Sequence, residues 1–126
     1  MCAAGHDQES NTLDAIRARI WEQTKEQTLT RMAFLEKAFA DLSHGPFTEE
    51  RRAQAAGESH KLAGSLGTFG FLEASRLAQA MEQMLKQSGE LKPGDGKVLG
   101  QFLLQLRREL DPAIERLKAN SSALNR

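Results

Sequence analysis

Cysteine is almost missing from this chain: Cys2 stands alone among 126 residues. One thiol cannot close an internal disulfide, so a cross-linked scaffold is excluded and a reducing compartment is the expectation. Excess charge of either sign is missing too. Lysine and arginine total 17, as do aspartate and glutamate, which leaves no global field to draw the chain to nucleic acid or anionic lipid. No run approaches the roughly 18 apolar residues of a membrane span. The opening "MCAAGHDQES" has no apolar stretch for export. A cytoplasmic chain of one domain is therefore expected. Two further absences narrow the chemistry. "GDGK" lacks the glycine spacing and the preceding strand of a phosphate-binding loop. His6, His44 and His60 fall in three separate elements without ligand spacing. Neither a metal nor a nucleotide cofactor is expected.

What remains is helix. Residues 1–11 read as a disordered tail. From about Thr12 to Ser43, apolar residues recur at Leu13, Ile16 and Ile20, then at Met32, Leu35, Phe39 and Leu42. The polar stretch "EQTKEQT" leaves open one long helix or two collinear ones. Gly45 and Pro46 stop it. A second helix is expected from Thr48, an N-cap residue followed by Glu49 and Glu50, to about Thr68. A third covers about Phe71 to Gln87, with Ala74, Leu77, Ala78, Met81 and Leu85 on one side. After the turn region "SGELKPGDG", a fourth starts near Lys97 and carries Leu99, Phe102, Leu103, Leu106 and Leu110. Pro112 is expected to kink or restart it, and residues 120–126 form a tail. With no strand-like alternation and no repeat, the expected fold is all-α. It is an antiparallel up-and-down four-helix bundle with an additional N-terminal helical segment, over residues 12–119.

The second helix holds the residues of interest. Gly57 precedes His60, and Gly64, Gly67 and Gly70 follow it, although each glycine costs a helix about 1 kcal/mol relative to alanine. At 100° per residue, Ala55, Ser59, Leu62, Leu66 and Phe69 fall within about 40° of one direction, the core stripe. His60 points about 140° away from it. Its expected neighbours on that outer face are Ala53, Ala56, Ala63, Gly64 and Gly67, where an ordinary exposed face carries long polar side chains. Small residues leave the imidazole open to the surface of another macromolecule. The competing reading is that the glycines permit close helix packing and His60 merely lies beside them. Ser59 is not a base partner, because consecutive helical residues diverge by about 100°.

The stretch "HKLAGSLGTFGF" resembles the motif of the histidine-containing phosphotransfer (HPt) domain of two-component phosphorelays. The pattern is a histidine, an apolar residue two later, a glycine four later, a small residue next, and a glycine ten later that opens the next helix. Here these are His60, Leu62, Gly64, Ser65 and Gly70. The likeness covers about Thr12 to Ala119 in architecture and is motif-specific over residues 56–86. It implies that His60 accepts a phosphoryl group from a receiver-domain aspartate and passes it to another receiver, without autokinase activity. It also implies that the receiver brings the Mg²⁺, and that receiver or hybrid kinase meets a face made of Ala56, Gly57, Ala63, Gly64, Gly67 and Phe71.

Many members carry an acidic or amide residue twenty-two positions after the histidine that orients the ring. That position is Glu82. A solvated Glu82 paired with Lys86, four residues on, fits the same spacing. Many also carry lysine three positions after the histidine, where this chain has Ala63. Lys61 and Lys86 are the cations left to screen a phosphoryl group. A monomeric relay intermediate rather than a kinase is the expectation. The alternative is a helical adaptor that binds receivers or other helical partners without carrying phosphate.

Overall fold

A computed structural model of the chain describes residues 2–124, with side chains described over residues 12–111. Four helices follow one another: α1 (Cys2–His44), α2 (Glu49–Thr68), α3 (Leu72–Lys86) and α4 (Pro93–Leu124). No strand occurs among the described residues. Each helix packs against two others, in the ring α1–α2–α3–α4. Neighbours run antiparallel. Glu36 of α1 meets Arg107 of α4 while Phe39 and Ser43 lie against Gly96, and Ala63 of α2 meets Ser75 of α3 while His60 meets Glu82.

Local chemistry sets the boundaries. Thr48 caps α2, its hydroxyl accepting from the Arg51 N–H at 3.1 Å. Gly70 has φ +86°, a conformation open to glycine. It closes α2 by sending its N–H to the Gly67 carbonyl while the Phe71 N–H reaches the Leu66 carbonyl. Pro93 takes the first position of α4, where its missing N–H costs nothing, and the Asp95 carboxylate accepts from the Lys92 N–H at 2.9 Å.

The core gathers Met32, Leu35, Phe39 and Leu42 from α1, Leu62 and Leu66 from α2, Met81 and Leu85 from α3, and Leu99, Leu106 and Leu110 from α4, all buried. Trp21 closes one end of it, lying 5.3 Å from the Phe69 ring and 5.0 Å from that of Phe71 in the α2–α3 turn.

Several boundaries differ from expectation. The first helix is a single element of 43 residues that begins at Cys2. Of the two readings left open for this region, one long helix is the one observed, its N-terminal segment continuing α1, and the backbone of residues 2–11 is helical where a disordered tail was expected. Alanine, glutamine and glutamate there favour a helix, no proline interrupts the stretch, and the helix runs through Gly5 despite that residue's lower propensity. Leu13, Ile16 and Ile20 are exposed, because the α2–α3 turn meets α1 at Trp21 and these residues lie beyond it. At the other end, α4 starts four residues before Lys97 and passes through Pro112 to Leu124 without a restart. Proline's fixed φ is compatible with a helix, and α4 continues past it despite the lost hydrogen bond and the crowding of the carbonyl four residues back. The side chains of Cys2 and His6, and residues 125–126, lie outside the described residues.

Candidate functional site

His60 sits midway along α2 with its side chain 73% exposed, the outward placement that the helical wheel gives it. Its Nδ1 lies 3.0 Å from Oε2 and 3.3 Å from Oε1 of Glu82 on α3. A carboxylate only accepts, so in the neutral ring Nδ1 carries the proton and donates it, and Nε2 keeps its lone pair. Glu82 itself is only 14% exposed. The Lys86 ammonium approaches the same Oε2 at 2.8 Å. Lys86 first, and His60 after it, hold the Glu82 carboxyl below the ordinary glutamate range, against a desolvation effect that pushes it up. The two sequence readings of Glu82, partner of His60 or partner of Lys86, are therefore both present at once.

The glycines divide by role. A Cβ on Gly57 or Gly64 would meet nothing within 4 Å, so these two leave the face beside His60 open. At Gly67 a Cβ would lie 3.3 Å from the Ser75 hydroxyl, so that position serves the approach of α3. Ala56 and Ala63 depart from expectation. Each is 7% exposed and packs with the core, so little of either side chain is left on the outer face. The cause is that α2 is covered on two sides. Its buried arc widens from the core stripe toward α3, and Ala56 and Ala63 lie on the α3 side. Phe71 is half-buried against Trp21 and the core. Lys61 extends elsewhere, 3.8 Å from Glu58, which Arg31 of α1 also holds at 3.0 Å.

Sequence reasoning missed Gln79 and Gln83, which line the shallow depression beside His60 together with Ala63, Gly64 and Glu82. Their signal was available. They lie one turn apart on α3 and flank the face that carries Glu82.

His60 is thus an exposed imidazole whose Nδ1 meets a carboxylate of the next helix, at the protein surface rather than inside an enclosed cavity. The chain belongs to the Hpt domain family, whose model matches residues 19–120. At the level of the family this is a histidine phosphotransfer module of phosphorelay signalling that works with receiver domains and kinases. Among curated relatives, Protein RcaC of Microchaete diplosiphon is 31% identical over 91 residues, which are 72% of this chain and 14% of that protein. The chain thus spans a small part of the relative's length. No solved structure matches. Among the described residues, no helix is long and apolar enough to cross a membrane.

Proposed function

We propose that this chain, as a cytoplasmic monomer, accepts a phosphoryl group on Nε2 of His60 from the aspartyl phosphate of a receiver domain and returns it to the aspartate of another. The Nε2 lone pair forms the new N–P bond while the acyl P–O bond breaks, and the electron pair leaves with the aspartate carboxylate. The Nδ1 proton stays in its bond to Glu82, and the carboxylate offsets the positive charge that grows on the ring. The receiver carries the Mg²⁺ that the step requires. Upstream phosphate comes from a partner, since the reading assigns this chain no kinase activity. The observation that carries the reading is the 3.0 Å contact from Nδ1 to a largely buried carboxylate, made by a ring that is otherwise exposed.

The test is incubation with phosphorylated receiver domains. Wild-type chain should take up acid-labile, base-stable phosphate, and His60→Gln should take up none while keeping its helical circular dichroism. Binding without labelling would mean an adaptor, and labelling of the His60→Gln variant would move the site elsewhere.

A further inference from the structure

Arg52 has no part in the motif, yet its partners are unusual. Its side chain is 12% exposed, and the nearest carboxylate, Glu49, is 3.9 Å away and itself open to solvent. The guanidinium donates instead to three backbone carbonyls at the end of α3: Nε to Leu85 at 2.6 Å, Nη1 to Gly89 at 2.7 Å, and Nη2 to Gln87. The last carbonyls of a helix lack intrahelical donors and form the negative end of its dipole, so a planar cation with several fixed donors suits them. A helix end without such a tie frays.

We infer that Arg52 is a positioning residue for His60, acting through the last turn of α3. Lys86 lies between two of the residues whose carbonyls Arg52 holds, and its ammonium meets Glu82 at 2.8 Å. Glu82, one turn earlier, holds the His60 ring. The chain of contacts runs from Arg52 to the Leu85–Gly89 backbone, to Lys86, to Glu82 and to Nδ1. Arg52 and His60 are eight residues apart on α2, about 12 Å along its axis, and the arginine's hydrogen bonds go to the end of α3 rather than to the ring. It fixes the end of α3 against α2 and so fixes where the carboxylate stands.

The kinetic part of the test rests on His60 being the phosphoryl acceptor, and the spectroscopic part rests on the geometry alone. In Arg52→Ala, ¹⁵N NMR of the His60 imidazole should move from the Nδ1–H tautomer toward a mixture with Nε2–H. Phosphoryl acceptance should fall by about tenfold. In a Glu82→Ala background the same Arg52→Ala change should add nothing, because the contact it acts through is gone. Arg52→Lys keeps the cation but not the three-way fork and should fall between, and it carries the test if Arg52→Ala does not fold. An unchanged tautomer in a folded Arg52 variant, or effects of Arg52→Ala and Glu82→Ala that multiply, would overturn the proposal. If wild-type chain takes up no phosphate, the proposed function fails and the tautomer measurement alone decides on Arg52.

Discussion

Gly67 stands so close to Ser75 that a methyl group added to the glycine would lie 3.3 Å from the serine Oγ. That oxygen is not free to turn aside, because its hydroxyl donates to the Ala63 carbonyl at 2.8 Å in a buried position. Three residues earlier on α2, the same methyl at Gly64 would meet nothing within 4 Å. Gly64→Ala should therefore stabilise the fold by about 1 kcal/mol through helix propensity. Gly67→Ala should lose that gain, and about 1 kcal/mol more, to the strained serine bond. Urea denaturation of the two variants compares them directly. Equal stabilisation would mean that α2 and α3 can separate at no cost.

Glu82 gives a graded test of ring orientation. Glu82→Ala removes the acceptor for the Nδ1 proton but leaves the nucleophile, and phosphoryl acceptance should slow by roughly ten- to a hundredfold. Glu82→Gln keeps an acceptor oxygen while losing the charge, so its loss should be smaller. Rapid-quench measurement of labelled chain separates the two. Equal rates in all three proteins would leave Glu82 with no part in the transfer.

The same residue sets a pH window. Its carboxyl is held below the ordinary glutamate range, by Lys86 above all. A lowered carboxyl pKa contributes stability that is present above the unfolded value of about 4.3 and lost as pH falls through the folded one. Wild type should thus be more stable than Glu82→Gln from neutrality down to about pH 5, and the gap should close on further acidification. Thermal melts from pH 7 to pH 3 read this. A gap that persists undiminished at pH 3 would contradict the assignment.

Ser59 is fully buried next to His60 in sequence, and its hydroxyl has no hydrogen-bond partner among the described residues. A buried hydroxyl without a partner bears a desolvation penalty. Ser59→Ala should therefore raise stability by about 1 kcal/mol. Phosphoryl acceptance should stay as in wild type, since Ser59 faces the core. A destabilised variant would show that packing around the hydroxyl outweighs its lost hydration.

What was legible in the sequence was local. Thr48, the Gly45-Pro46 break and Gly70 act on their immediate neighbours, and each falls where its chemistry requires. The outward direction of His60 follows from one periodicity, and Glu82 was reached by resemblance. The single wheel failed at Ala56 and Ala63, because it assumes one buried direction while α2 has α3 beside its core stripe. Leu13, Ile16 and Ile20 have core periodicity, but periodicity does not say how far the partner helices extend. Arg52 was beyond reach for another reason. Its acceptors are backbone atoms 33 to 37 residues away, and a carbonyl has no letter of its own in the sequence.

Trp21 is the only tryptophan, and the chain has no tyrosine. Its indole packs on Phe69 and Phe71, the two rings that flank Gly70 in the turn leaving the histidine-bearing helix. The chain therefore contains a single indole, placed on the turn between the helix that carries His60 and the helix that carries Glu82. Changes in its emission on mixing with a receiver would report on that turn, with no label attached and no second tryptophan in this chain to confuse the signal.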